Sequence, residues 1–324
     1  MDVEKKVMLL YNKFGQSKTM PEMSVSQIRP YFFLHRKFLG EQDLLIIFNT
    51  KRCRYQCYFC DLPQKSSLKL VPDEDILAQF DHVVTEMKHS LSVLDRLTIS
   101  NNGSVLDVMT FSKEALLTIV QSTYQLPQLK TLVFETRLEF AECNYIEEIK
   151  NANPRVTVDI LTGFETKDPY IRENILHKEE SLDDFLTGLD KQMLCRTKLT
   201  AYVLFKPSPF MTDKEAITEA EESIDFLVQQ CAKRHIDLTI RLNPMYAARG
   251  SKWSAMAKES NTYAPPRLTD ILNLARRKAD EGVNMYIGLS TESLEEPWGY
   301  YRQREDYSRE LLKQAILFNN RKIC

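Results

Sequence analysis

The chain has 324 residues, of which 43% are hydrophobic and 27% are charged. This composition is ordinary for a globular protein with a sizeable core, and it excludes a chain that is mainly disordered. Basic and acidic residues nearly balance, 43 against 45, so the chain has no overall electrostatic attraction to nucleic acid. The longest apolar runs, such as 44–48, have five residues, far below the roughly 18 of a membrane span, so we expect no membrane protein.

The amino-terminal residues and the cysteines indicate the cell compartment. Acids and bases are mixed in the first six residues and no long apolar stretch follows, so we expect no signal or transit peptide and infer a cytoplasmic location. Seven cysteines are an odd number for such a chain, which argues against a disulfide framework and favours metal binding or redox chemistry. They stand at positions 53, 57, 60, 143, 195, 231 and 324.

Short apolar or β-branched runs alternate along the chain with longer segments of helical spacing. The runs predict strands at 44–49, 94–100, 129–135, 156–162, 198–205 and 237–243, with a weaker seventh at 283–289. The longer segments predict helices at 73–89, 113–125, 140–151, 182–191, 214–234 and 268–281. Such alternation is typical of parallel strands joined by crossover helices, where the loops after the carboxyl ends of the strands build the functional site.

Three cysteines, Cys53, Cys57 and Cys60, follow the first predicted strand within eight residues. A tight loop with this spacing can point all three sulfurs inward, as an iron–sulfur cluster or a zinc ion requires. Three thiols are one too few for a closed site, which indicates an open coordination position for a substrate or cofactor. The alternative is a fourth ligand from elsewhere, for which the candidates are His35, Cys143 and Cys195.

The C-x3-C-x2-C spacing after a strand, with Phe59 directly before the last cysteine, resembles the signature of the radical S-adenosylmethionine (radical SAM) family. The resemblance implies that Cys53, Cys57 and Cys60 hold three irons of a [4Fe-4S] cluster, while the fourth iron chelates S-adenosylmethionine (SAM). It further implies that an electron from the cluster cleaves SAM to methionine and a 5′-deoxyadenosyl radical, and that Phe59 lies near the adenine. A core aromatic is the ordinary alternative for Phe59.

The same resemblance implies an α/β fold, a partial (β/α)6 TIM-like barrel with irregular extensions. We place the barrel over residues 41–290, an amino-terminal extension that packs on it over 1–40, and a carboxyl-terminal extension over 291–324. No Gly/Ser-rich linker interrupts the chain, which favours one compact domain.

Polar residues stand at or beyond the ends of the later predicted strands, where the site of such a barrel lies. These candidate cofactor-binding residues are Asn101, Asn102, Gly103, Glu135, Arg137, Glu165, Lys178, Arg241 and Asn243. Their segments resemble the radical SAM subgroup that includes the elongator catalytic subunit, the tRNA methylthiotransferases and the radical SAM subunit of archaeosine synthase, over roughly residues 28–290.

The resemblance to this subgroup implies individual roles. The glycine-containing turn would meet the SAM amino group, Glu135 and Glu165 would face the nucleoside, and Lys178 would pair with the methionyl carboxylate. The ordinary alternatives are a simple Asn-Gly turn, solvated acids and lysines, and a structural ion pair of Arg137 with Glu135, Glu139 or Glu165. The sequence identifies no catalytic side chain beyond the cofactor-binding set.

We therefore predict an enzyme that abstracts a hydrogen atom from an unreactive C–H position of its substrate, with a nucleoside in tRNA as the leading candidate. The expected partners are an electron donor such as flavodoxin or ferredoxin and a protein that presents the tRNA. One alternative is a radical SAM enzyme that acts on a free small-molecule metabolite. The alternative from another class is a non-catalytic zinc or iron–sulfur binding module.

Overall fold

The computed structural model describes residues 28–321. Its centre is one sheet of eight strands whose order in space is their order in the chain. The first pair is antiparallel and every later pair is parallel. The strands are β1 (Phe32–Phe38), β2 (Glu41–Phe48), β3 (Arg96–Asn101), β4 (Thr131–Glu135), β5 (Thr157–Glu165), β6 (Lys198–Phe205), β7 (Leu238–Pro244) and β8 (Asn284–Ile287). The predicted α/β class and partial barrel are confirmed, and the seven predicted strands correspond to β2 to β8.

Helices connect the parallel strands and complete the carboxyl-terminal part of the described chain. They are α1 (Asp73–Glu86), α2 (Lys113–Ser122), α3 (Cys143–Ala152), α4 (Leu182–Cys195), α5 (Asp213–Lys233), α6 (Lys252–Ser260), α7 (Leu268–Asp280) and α8 (Arg309–Asn319). The six predicted helices are all present, and α6 and α8 were not predicted. No helix within residues 28–321 is both long and apolar enough to cross a membrane.

The core lies between the sheet and the helices that cover it. From Leu44 to Phe48, the residues of β2 are at most 5% exposed, and all six residues of β3 are buried. Strands of a parallel sheet are covered on both faces, which explains why they read as continuous apolar runs. In α2, Leu116, Ile119 and Val120 recur at helical spacing and are fully buried.

The first and last strands of the sheet contact each other across the barrel. The rings of Phe38 in β1 and Tyr286 in β8 stack with their centroids 4.4 Å apart. Asn319 of α8 donates through Nδ2 to the carbonyl of Ile287 at 2.7 Å and accepts from the Ile287 N–H at 2.8 Å. The Asn319 carbonyl in turn accepts from the N–H of Leu39 at 3.0 Å. These contacts hold the two edges of the curled sheet near each other, although β1 and β8 are not hydrogen-bonded neighbours, so the carboxyl ends of the parallel strands face one mouth.

The strand β1 lies within the predicted amino-terminal extension and was not predicted as a strand. Its side chains mix apolar and charged types and are mostly half-buried or exposed, because it forms an edge of the sheet. Its hairpin turn to β2 uses Leu39 and Gly40, both at positive φ, 50° and 85°. Two-residue turns of this kind are normally signalled by Asn-Gly or Asp-Gly, and Leu-Gly gave no such signal. Residues 1–27 and 322–324 of the two predicted extensions lie outside the described residues.

Cys143 and Cys195 form a disulfide that links α3 to α4, which corrects the prediction against disulfides. That expectation used the odd number of cysteines, whereas the packing of neighbouring helices brings the two Cα atoms to 5.1 Å although 52 residues separate them. Neither cysteine can then supply a fourth metal ligand. His35 lies on β1 and is not among the residues that line the cavity described below.

Candidate functional site

A cavity of about 260 Å³ lies at the carboxyl ends of the parallel strands. It is lined by all the candidate residues from the sequence, in addition to residues that the sequence did not indicate. The predicted set in its wall is Cys53, Cys57, Phe59, Cys60, Asn101, Asn102, Gly103, Glu135, Arg137, Glu165, Lys178, Arg241 and Asn243. The strand-end rule for parallel barrels therefore collected these side chains in one place, and their individual roles remain predictions.

The cysteine loop follows β2 and is fixed by backbone hydrogen bonds. The N–H of Cys60 donates to the carbonyl of Cys57 at 3.2 Å, and Tyr58 is bonded through its N–H to Leu176 and through its carbonyl to Trp253. The thiols of Cys53, Cys57 and Cys60 are free, and burial raises the pKa of all three, to about 11 for Cys57. As the side chains stand, no group of three or more His, Cys, Asp or Glu residues within 28–321 has an arrangement that could hold a metal ion.

The turn after β3 presents buried amide groups to the cavity. Asn101 donates through Nδ2 to the hydroxyl of Thr50 at 3.0 Å, but its Oδ1 has no partner. Asn102 is fully buried, and neither its Oδ1 nor its Nδ2 has a partner. At Gly103, an added Cβ would lie 3.2 Å from the Cβ of Cys53, so this residue lets the turn approach the cysteine loop closely. A buried amide group without a hydrogen-bond partner lowers the stability of the fold. Such groups indicate a place where a polar ligand can supply the missing hydrogen bonds.

Strand β4 ends in a carboxylate that lines the cavity, and the segment after β4 contains an arginine that organises the cavity wall. Glu135 accepts a hydrogen bond from the hydroxyl of Ser100. Arg137 donates from Nη1 to the carbonyl of Lys178 at 2.8 Å and from Nη2 to that of Glu179 at 2.7 Å. The ion pair considered for Arg137 is present with Glu139, at 2.9 Å. The guanidinium therefore joins the β4 loop to the loop that carries Lys178.

The end of β5 carries a strained, charged group of residues. Glu165 has φ of 71°, in the left-handed region that a side chain rarely adopts, and the register between β5 and β6 shifts at this point. The ammonium of Lys178 lies 3.6 Å from Glu165 and 3.5 Å from Glu180, and Arg172 binds Glu180 at 2.9 Å. Burial raises the pKa of Glu165, and Lys178 opposes that shift. Backbone strain of this kind persists where the surrounding structure enforces it, often at functional sites.

The cavity also contains residues that the sequence analysis missed. They are Tyr202 on β6, Tyr246 after β7, and Ser290, Thr291 and Glu292 after β8. The last three residues follow a strand end, where the site of such a barrel lies, but the sequence signal for the seventh strand, 283–289, was weak. Two of them, Thr291 and Glu292, fall in the predicted carboxyl-terminal extension.

Two curated proteins of archaea are similar to the chain. An uncharacterised protein of Methanocaldococcus jannaschii is 25% identical over 289 residues, which cover 87% of this chain and 77% of that protein. Archaeosine synthase subunit beta of Methanosarcina acetivorans is 22% identical over 240 residues, which cover 73% of this chain and 66% of that protein. No protein-family model matches the chain.

Solved structures share its fold. Spore photoproduct lyase, in a variant with bound AdoMet and a dinucleoside spore photoproduct, matches with a TM-score of 0.54 and 14% identity over 87% of this chain and 93% of that one. Methylornithine synthase (PylB) matches with a TM-score of 0.51 and 12% identity over 100% of this chain and 91% of that one. SuiB of Streptococcus suis, bound to its precursor peptide SuiA, matches with a TM-score of 0.53 and 12% identity over 89% of this chain, which spans only 53% of SuiB. These structures are similar to the chain in fold, and they agree with the partial barrel that the sequence predicted.

Proposed function

We propose that the protein is a radical SAM enzyme that binds a [4Fe-4S] cluster through Cys53, Cys57 and Cys60 and binds SAM in the adjoining cavity. The observation that carries the proposal is the position of these three free thiols. They follow the first parallel strand and line one cavity with the unpartnered amide oxygens of Asn101 and Asn102. The match to the AdoMet-bound lyase structure supports the same assignment at the level of the fold.

The residues present fit these cofactors. Thiolates are the usual protein ligands of iron–sulfur clusters, and each thiol binds a separate iron, so the three sulfurs need not converge on one point. Amide and carboxylate groups suit a ligand with an ammonium group and ribose hydroxyls. At Gly163 an added Cβ would lie 2.1 Å from Oε1 of Glu165, so the absence of a side chain there leaves room for the Glu165 carboxylate.

A [4Fe-4S] cluster held by Cys53, Cys57 and Cys60 would supply the electron for reductive cleavage of SAM, the chemistry that would permit hydrogen abstraction from the substrate. The chain's own part is to bind and orient. In the proposed arrangement Asn101 and Asn102 hold the methionyl amino end, Lys178 pairs with the carboxylate, Glu135 and Glu165 accept hydroxyl hydrogens, and Phe59 packs on the adenine. Arg137 positions Lys178 through the Lys178 carbonyl.

We extend the proposal to the substrate, a modified nucleoside in tRNA. It is supported by the 22% identity to archaeosine synthase subunit beta, of which the matched segment covers 66%. Because the chain has a net charge of −2, a second protein that presents the tRNA and supplies basic surface belongs to the same proposal. We also propose that a flavodoxin or ferredoxin donates the electron and that the protein is cytoplasmic.

The decisive experiment is 5′-deoxyadenosine formation by the anaerobically reconstituted protein with SAM and a strong reductant. We expect product from the wild type and from Cys231→Ala, which removes a buried thiol outside the cavity, and none from Cys57→Ala. Iron and zinc contents are measured on the same samples. Zinc in place of iron, or an intact cluster without SAM binding, would contradict the proposal and favour the metal-binding module.

The substrate is tested with the same protein by adding tRNA or free nucleosides. Stimulation of 5′-deoxyadenosine formation by tRNA, weakened at higher salt because phosphate contacts release counterions, is the expected result. Stimulation by a free metabolite and not by tRNA would contradict the tRNA proposal and leave the cofactor chemistry standing.

A further inference from the structure

Arg241 is a buried arginine in the cavity wall, far along the sheet from the cysteine loop. It lies on β7, which four strands separate from β2. Its side chain is 8% exposed, and its guanidinium lies over the ring of Tyr202 at 4.9 Å and near that of Tyr286 at 5.8 Å. Nη1 donates to the hydroxyl of Tyr202 at 3.2 Å. The two rings fix the plane of the guanidinium before any ligand arrives.

The guanidinium of Arg241 keeps hydrogen-bonding capacity that the described residues do not use. Its Nε is buried without a partner, and so is Oδ1 of Asn243, two residues further along the same strand. Residues 28–321 place no carboxylate oxygen within 4.0 Å of Arg241. An uncompensated buried charge is strongly unfavourable, so the site is complete only when an anion occupies it.

Two other arginines in the barrel differ from Arg241 in having a carboxylate partner. Arg36 binds Asp43 at 2.8 Å, and Arg96 binds Asp159 at 2.9 Å. Both of these guanidinium groups have a carboxylate partner within the fold, and both lie outside the cavity lining. Arg241 differs from both, because no carboxylate of the described residues lies within 4.0 Å of it.

Gly288, in the segment after β8, packs closely against Arg241 and Asn243. An added Cβ there would lie 1.9 Å from Oδ1 of Asn243 and 3.4 Å from Nε of Arg241. Both of these atoms are buried, and a side chain at this position would clash with Asn243. The glycine therefore lets the wall of the cavity form around the two residues.

The acids that act on this part of the cavity do not replace such a ligand. The negative charges of Glu292 and Glu135 and the positive charge of Arg36 all act on this part of the cavity. Burial and the charge of Glu135 raise the pKa of Glu292, while Arg241 lowers it. Glu135 is already bonded to Ser100. Neither of these two carboxylates lies within 4.0 Å of the Arg241 guanidinium.

We infer that Arg241, with Asn243 beside it, binds an oxyanion of the substrate, a carboxylate or a phosphate, rather than SAM. That the ligand is a substrate rests on the proposed function. SAM has one carboxylate, and two other basic residues reach the cysteine loop: the carbonyl of Lys178 lies 3.9 Å from the sulfur of Cys57, and the guanidinium of Arg137 lies 3.6 Å from the ring centre of Tyr55. A second buried cation on β7 requires a second anion, and the planar guanidinium suits carboxylate or phosphate oxygens.

The test is the melting temperature of the cluster-reconstituted protein in sodium acetate, sodium phosphate or acetamide, against sodium chloride at equal ionic strength. We expect acetate or phosphate at about 100 mM to raise the melting temperature by about 2 °C, and acetamide to have no effect, because a ligand stabilises the state that binds it. Arg249→Gln, an exposed arginine outside the cavity lining, is expected to respond as the wild type does. Arg241→Gln is expected to lose the shift, and Arg241→Lys, which keeps the charge without the planar fork, to retain less than half of it.

The outcomes separate the possibilities. A shift with acetate alone identifies a carboxylate, and a shift with phosphate alone identifies a phosphate group. A wild-type shift in either Arg241 variant, or no shift in the wild type, would overturn the inference. Loss of the shift at saturating SAM would overturn it too, because the anion would then share the SAM site. If the wild type fails to bind SAM but the Arg241-dependent shift persists, the proposed function fails and the oxyanion site stands.

Discussion

Glu219 is a buried carboxyl group that burial makes difficult to ionise. It lies on α5 beneath the end of β5, is 9% exposed, and accepts hydrogen bonds from the hydroxyls of Thr166 and Ser223. Burial, only partly offset by these bonds, raises the pKa of Glu219 from 4.5 to about 7. Below pH 4.5 the group is protonated in both the folded and the unfolded chain. Between pH 4.5 and 7 only the folded chain keeps the proton, so the free energy of unfolding falls as the pH rises.

We therefore predict that Glu219→Gln changes the pH dependence of stability. At pH 8.5 the variant should be more stable than the wild type by about 3 kcal/mol, and at pH 5 by no more than about 1 kcal/mol. Urea unfolding at pH 5 and pH 8.5 measures the difference. The exposed Glu222→Gln on the same helix is the control. A difference that is the same at both pH values would contradict the prediction.

At the scale of the element, α4 packs so closely on the segment after β4 that it requires a glycine. Gly188 is buried, and an added Cβ would lie 2.5 Å from the Cβ of Leu138, which is itself fully buried. In an isolated helix an alanine in place of glycine would gain about 1 kcal/mol. Overpacking of a core costs about 1 to 3 kcal/mol, and here the contact involves atoms next to the backbone that cannot rotate away.

The prediction is that Gly188→Ala lowers the free energy of unfolding by about 1 kcal/mol or more, because the packing cost exceeds the gain in helix propensity. Chemical denaturation of the purified variant measures this. Thr187→Ala, exposed and adjacent on the same helix, should be neutral or slightly stabilising. Stabilisation by Gly188→Ala would show that α4 can move away from Leu138.

At the scale of the whole molecule, the barrel depends on a contact between its two ends. Asn319 of α8 bonds both backbone groups of Ile287 in β8, and its carbonyl accepts from Leu39 in the β1–β2 turn. Asn319 is 4% exposed, so water cannot readily replace it. One side chain near the end of the described chain therefore serves as the partner that the last strand lacks.

We predict that Asn319→Ala lowers the free energy of unfolding by about 2 to 4 kcal/mol, because a buried donor and a buried acceptor are left unpaired at about 1 to 3 kcal/mol each. Guanidinium unfolding gives the value, and Lys313→Ala, exposed on the same helix, should change it little. A loss below about 0.5 kcal/mol would indicate that the barrel closes without this contact.

Some residues of the candidate site could be predicted from the sequence and others could not. Cys53, Cys57 and Cys60 are close in the chain, so their spacing alone indicated a metal-binding loop. Glu165 and Asn101 were found because parallel strands bring their carboxyl ends to one face. Glu292 was missed, since the short strand before it gave a weak signal, and Tyr202 was missed because it lies within a strand rather than at its end.

By itself the sequence determined the α/β class, the seven parallel strands and the cysteine loop, because hydrophobic periodicity and short motifs are written in neighbouring residues. Only the tertiary structure decided the edge strand β1, the disulfide between Cys143 and Cys195, and the contact of Asn319 with β8. It also decided that no carboxylate of the described residues lies within 4.0 Å of Arg241, whereas Arg36 and Arg96 each bind one. These features join residues that are distant in the chain, and their meeting depends on how the sheet curls and closes, which no local pattern records.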